Sequence, residues 1–176
     1  LKISKAISED PDFRIQAIYP HPDGGVWVLG SNGLSRFFNH RMLMNYSRTD
    51  VPALIGRLAP GKAGNLWFGY WSDQIFSSKD GVIQSARLQE VSGYHIHSLL
   101  EDREGNLWIG TSGGGLIRIR KRRVTMLTKA DGLSAPGITA VIEDRQGNVW
   151  VGTGRGLCRS VSKEITSANP NKKLTC

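Results

Sequence analysis

Cysteine is nearly absent from this chain of 176 residues: Cys158 and Cys176 are the only two. Two are too few for a disulfide framework and are not spaced as a metal knuckle. A bridge between them is possible, but nothing in the sequence supports it. Cys158 reads as a small buried strand residue, and Cys176, the last residue, as mobile. Long apolar runs are missing too. No stretch of 18 residues is apolar throughout, which excludes a membrane-spanning helix. The segment from Leu1 to Asp10 lacks the charged-then-apolar layout of a signal peptide, so no address can be read from it. No Ser-His-Asp or Cys-His arrangement stands out. Gly113-Gly114-Gly115 is not followed by a helical pattern, so it reads as a hairpin turn and not as a phosphate cradle.

What the chain does have is 21 glycines, five tryptophans and a formal net charge of +8. Glycine at this level without a collagen period predicts many tight turns between short strands. The basic balance attracts polyanions, or simply keeps a domain soluble.

The tryptophans expose a repeat. Trp27, Trp67, Trp108 and Trp150 are spaced by 40, 41 and 42 residues. Twelve residues before each stands Ile15, Ile55, Ile96 or Ile138; nine before stands Ile18, Leu58, Leu99 or Val141. A turn precedes each Trp, as in Gly105-Asn106 and Gly147-Asn148. A second glycine turn follows it, leading to Gly33-Leu34, Gly115-Leu116 and Gly156-Leu157, with Gln74-Ile75 in the departing second unit. A period near 40 fits a four-stranded propeller blade or a helix pair. The apolar segments are short and rich in Val, Ile and aromatics, and glycine recurs every eight to twelve residues, so helices are rejected.

The predicted fold is all-β: four propeller blades over residues 1–165, each a four-stranded antiparallel sheet, forming a partial or four-bladed propeller. A polar tail follows at 166–176. In the fourth unit the inner strand is 138–142, the second 149–153 and the third 156–161. Outer strands are expected at 42–47, 82–88 and 124–129. The last unit has no convincing outer strand, and residues 1–7 are expected to supply it. Glycine in the Gly-Asn turns takes the positive φ of a hairpin. Asp102 and Asp144 are placed to accept from turn amides. Each Trp is expected to fill the space between neighbouring blades.

The segments Leu100-Glu-Asp-Arg-Glu-Gly-Asn-Leu-Trp-Ile-Gly-Thr-Ser-Gly-Gly-Gly-Leu-Ile-Arg118 and Ile142-Glu-Asp-Arg-Gln-Gly-Asn-Val-Trp-Val-Gly-Thr-Gly-Arg-Gly-Leu-Cys-Arg159 resemble the two-component regulator propeller repeat. So does the linker Ala130-Asp-Gly-Leu133. The first two units match weakly. The resemblance implies blades of a propeller, usually seven-bladed and often in tandem, lying outside the cytoplasmic membrane. There it precedes a transmembrane helix and a kinase or similar output module, and many members sense carbohydrate fragments. It therefore implies a periplasmic or extracytoplasmic, non-enzymatic sensor module. Four units would be a fragment, half of a ring completed by a second copy, or a small closed ring. Streptogramin-type lyases, which are also seven-bladed, carry segments similar to Gly64-Asn-Leu-Trp-Phe68, so a propeller lyase is the alternative, and a protein-interaction scaffold a third reading.

Candidate sites follow from residues that break the repeat on the loop end of the ring. Tyr70 and Trp71 replace the usual Thr-Ser, and their flat faces could stack on a sugar, with blade packing the competing explanation. Asp73, Tyr94, His95 and Arg155 occupy equivalent loops and could supply polar contacts. His95 and His97 would share one strand face, but no repeat-supported third metal ligand accompanies them. His21 and His40 read as isolated and exposed. Glu101-Asp102 and Glu143-Asp144 resemble catalytic carboxylate pairs, yet they recur at one turn position and read as turn stabilisers. The run Arg118-Ile-Arg-Lys-Arg-Arg123 reads as a solvated turn or a grip on a polyanion. No recognition helix or zinc motif supports nucleic acid. No catalytic residue, cofactor or metal is assigned. The expected partners are a carbohydrate or other small ligand and further blades or a second copy.

Overall fold

The computed structural model describes residues 14–47, 50, 57–69, 74–79, 82–120, 123–161 and 174–176. They form four antiparallel sheets in chain order. Blade 1 comprises β1 (Ile15–Pro20), β2 (Val26–Gly30), β3 (Gly33–Phe38) and β4 (Arg41–Ser47). Blade 2 comprises β5 (Arg57–Pro60), β6 (Leu66–Gly69), β7 (Gln74–Lys79) and β8 (Val82–Arg87). Blade 3 comprises β9 (Ile96–Glu101), β10 (Leu107–Thr111), β11 (Leu116–Arg120) and β12 (Arg123–Leu127). Blade 4 has three strands, β13 (Ile138–Glu143), β14 (Asn148–Thr153) and β15 (Gly156–Val161). Each sheet is a meander, and inner strands β1, β5, β9 and β13 pack in succession. Among the described residues no comparable packing joins β13 back to β1, so the blades form an open arc.

Trp27, Trp67, Trp108 and Trp150 sit on second strands, and the first three face the following blade. Trp27, Leu29 and Leu34 pack on Leu58, Leu66 and Phe68 of blade 2. Ala59 and Ile75, with Trp67 partly buried beside them, pack on Ile96, Leu99, Leu107 and Ile109 of blade 3. Trp108 and Leu116 pack on Ile138, Val141, Val149 and Val151 of blade 4. Gly110 is required at the last seam, because a Cβ there would overlap the Ser98 hydroxyl and the Ile138 side chain.

The turn between first and second strands repeats in detail. Asp102 Oδ1 accepts from the Glu104 and Asn106 amides at 3.0 and 2.8 Å; its Oδ2 accepts from Asn106 Nδ2 and Trp108 Nε1, both at 2.7 Å. Asp144 does the same with Gln146, Asn148 and Trp150. Gly105 and Gly147 take φ of 80° and 83°, left-handed values that glycine adopts without strain. The Trp150 indole N–H, followed by the Asn148 and Gln146 donors, outweighs desolvation and holds Asp144 at a pKa of about 2.

Four expectations change. The third outer strand ends at Leu127 because Thr128 and Asp131 form a capping box around the 3₁₀ turn Lys129–Asp131. Cys176 is not mobile: it is disulfide-bonded to Cys158, Leu174 is buried, and Thr175 bridges Arg159 on the outer edge of β15. His21 is neither isolated nor exposed, since its ring is 2.6 Å from Asp23 Oδ1 and edge-on to Trp27. Arg118 is buried, its guanidinium 5.2 Å from the Trp108 ring centroid and 3.8 Å from Glu104, so the basic run is not wholly a solvated patch. The outer strand expected at 1–7 and most of the 166–176 tail fall outside the described residues.

Candidate functional site

The two ends of the arc do different work. At the end holding the Asp turns, the suspected carboxylate pairs are consumed by structure. While each Asp holds its own turn, the neighbouring Glu reaches to the preceding blade. Glu101 accepts from the Lys62 amide at 3.1 Å and from Trp67 Nε1 at 2.5 Å. Glu143 accepts from the Arg103 amide at 2.9 Å, and Arg103 Nη1 donates to Arg145 O at 2.7 Å. These carboxylates are staples between blades, with lone pairs already committed to donors. The sequence reading missed the stapling, although its signal was there: Glu stands seven residues before Trp in just these two units.

The opposite end holds an open pocket of about 400 Å³ between blades 3 and 4, lined by His97, Ser112, Ile138, Thr139, Arg155 and small residues of the linker and turn. Its walls are held by one tie between blades and two within blade 3. Gly115 N–H donates to Pro136 O at 3.0 Å, drawing the linker before β13 onto the turn after β10. Ser112 N–H donates to His95 O at 2.9 Å, and Ser112 Oγ accepts from the His95 amide at 3.1 Å. Ile138 forms the apolar floor and is fully buried. Arg155 is exposed on the two-residue turn of β14–β15, with its amide donating to Thr153 Oγ1 at 3.1 Å. No carboxylate pairs with its guanidinium among the described residues.

The structure therefore places Arg155 in the pocket and His95 beside it. The His95 and His97 ring centroids are 6.4 Å apart. Tyr94 lies over the 112–115 turn, and a Cβ on Gly114 would sit 2.7 Å from its ring. Among the described residues no group of three His, Cys, Asp or Glu side chains could hold a metal. Tyr70, Trp71 and Asp73 lie outside the described residues. Ser112 and Thr139 went unnoticed in the sequence. Thr139 and His97 share a repeat position, eleven before Trp, which holds Gln16 and Gly56 in the other units. A position beside an invariant Ile that never repeats is the signal that would have found them.

Comparison with known proteins places this geometry. Residues 90–113 and 132–155 match the two component regulator propeller family. No curated protein matches by sequence. Among solved structures, virginiamycin B lyase from Staphylococcus aureus superposes with a TM-score of 0.72 at 17% identity, covering 96% of this chain and 56% of that one. The extracellular domain described as that of a hybrid two component system from B. thetaiotaomicron gives 0.70 at 17%, covering 92% and 22%. The extracellular domain described as that of a one component system from the same organism gives 0.66 at 21%, covering 83% and 21%. The chain thus spans about half of the lyase and about a fifth of the extracellular domains. At these identities the likeness is one of fold. The matched segments hold the first two strands of blades 3 and 4, with the Asp-held turn and the tryptophan of each.

Proposed function

We propose that this chain is a non-enzymatic, ligand-sensing propeller module of a bacterial two-component signalling protein, working on the extracytoplasmic side of the membrane. The observation that carries the reading is the pocket at the loop end: a buried apolar floor ringed by His97, Ser112, Thr139 and Arg155. A mostly apolar lining with several hydrogen-bonding groups around it suits a carbohydrate, whose ring has C–H faces and a polar rim. Tyr70, Trp71 and Asp73, outside the described residues, stay candidates for the same ligand on the sequence alone. No helix among the described residues is long and apolar enough to cross a membrane. A ligand bridging blades 3 and 4 would bias their packing, which is how binding would reach a neighbouring domain.

Titration calorimetry against a panel of oligosaccharides tests this. A ligand whose affinity falls tenfold or more in Arg155→Ala and His97→Ala, with unchanged melting temperature, is the expected result. Binding unaffected by either change contradicts the placement. A second reading, a lyase like the S. aureus neighbour, is favoured by His97 in the pocket. Disappearance of virginiamycin B, abolished in His97→Ala, would establish it.

A further inference from the structure

The pocket between blades 3 and 4 is one-sided in charge. Every ionisable side chain among its described lining residues is a base: His97 from β9 and Arg155 from the turn of β14–β15. Arg57, at the start of β5, donates Nε to His97 O at 2.6 Å, which brings a second guanidinium to the blade 2 side of the same strand. The carboxylates gather at the other end. Asp23, Glu101, Asp102, Glu104, Glu143 and Asp144 stand at or beside the turns that join first to second strands. At the pocket's own end, Asp50 Oδ2 accepts from the Ser47 amide and hydroxyl at 2.9 and 2.8 Å. Asp131 Oδ2 accepts from the Thr128 amide and hydroxyl at 3.0 and 3.1 Å. Neither lines the pocket, and nor does Glu90.

The Arg155 side chain is exposed, and its guanidinium donates to none of the described residues. A guanidinium presents a planar fork of N–H donors that matches a carboxylate in two parallel hydrogen bonds. A neutral sugar would leave that charge unanswered. The other groups still serve a sugar ring. Ile138 is the buried apolar floor, and Ser112 Oγ accepts from the His95 amide, so its hydroxyl proton is left to donate. We infer, resting on the carbohydrate reading above, that the pocket takes an acidic saccharide, its carboxylate held by Arg155 with His97 alongside. The formal net charge of +8 draws the same anion in from a distance.

Titration calorimetry with oligomers of galacturonic, glucuronic and mannuronic acid tests this, each beside its carboxyl-reduced neutral counterpart. Reduction removes the charge and keeps the sugar. At least one acidic oligomer should bind about tenfold or more tightly than its neutral counterpart, and should weaken as salt rises. Arg155→Gln should abolish that preference at unchanged melting temperature. Arg155→Lys, which keeps the charge and loses the fork, should retain part of it. Neutral counterparts that bind as tightly overturn the inference, as does a preference that survives Arg155→Gln, and both leave the carbohydrate reading standing. Binding of no saccharide, acidic or neutral, overturns the two together.

Discussion

Strands β10 and β14 carry nearly the same residues, Leu107-Trp-Ile-Gly-Thr111 and Val149-Trp-Val-Gly-Thr153, yet they live in different surroundings. All five positions of β10 are buried, because blades cover both faces of its sheet. In β14 burial alternates: Val149 and Val151 are covered by blade 3, while Trp150 and Gly152 face outward. The difference lies in the neighbour, not in the sequence. A blade is written to be covered on both sides, and a side chain's contribution depends on whether the next sheet is there. Stability and exposure should therefore change along the arc although the motif does not.

The largest break in the comparison should come from its tryptophans. Trp108→Ala removes a fully buried indole and should cost about 3–5 kcal/mol. Trp150→Ala should cost less than half as much, as read by urea denaturation at a concentration where the chain is single. Equal costs would mean that the next blade contributes nothing to Trp108. Next comes the tie on blade 4. Cys176→Ser opens an 18-residue separation and should lose on the order of 3 kcal/mol by the chain-entropy relation. The loss should vanish when wild type and variant are compared under reducing conditions.

The seams offer a third contrast. Glu101→Ala strips an acceptor from the Lys62 amide and the Trp67 indole, at about 1–2 kcal/mol. Introducing Pro60→Glu at the staple-free first seam should gain nothing, since Pro22 offers no N–H. Thermal melts of the two variants separate these outcomes. The smallest effect is in acid. Asp144 is held near a pKa of about 2 against 3.8 unperturbed. Its contribution is present above the unfolded value and is lost as pH falls through the folded one. Asp144→Asn should flatten the stability profile between those two pH values and leave the slope above pH 5 unchanged.

The fold was legible because four indoles at one spacing fixed the period, and the Gly-Asn turns ruled out helices. Strand ends were read to within one residue except where Thr128 stops β12, a cap hidden in a Thr-x-x-Asp that the strand pattern overran. The roles of Glu101 and Glu143 were not legible, because they involve a partner some 40 residues away that only the arc brings near. Arg118 was misjudged because it stands opposite Trp108 and is covered by the following blade, whereas the cover of His21 by Asp23 and Trp27 is local to its turn. The disulfide was open in the sequence because nothing in a polar tail foretells its return to β15. The pocket was half legible. Arg155 marks a turn and stood out, whereas Ser112 and Thr139 acquire meaning only when the linker at 135–137 lies down on the neighbouring turn.

Amide hydrogen exchange, taken at the lowest concentration that gives signal, probes the arc most directly. If adjacent sheets shield one another as described, the amides of Leu107–Thr111 exchange far more slowly than those of Asn148–Thr153, in which only one face is covered. Equal exchange in the two strands of a single, unassociated chain would contradict the account.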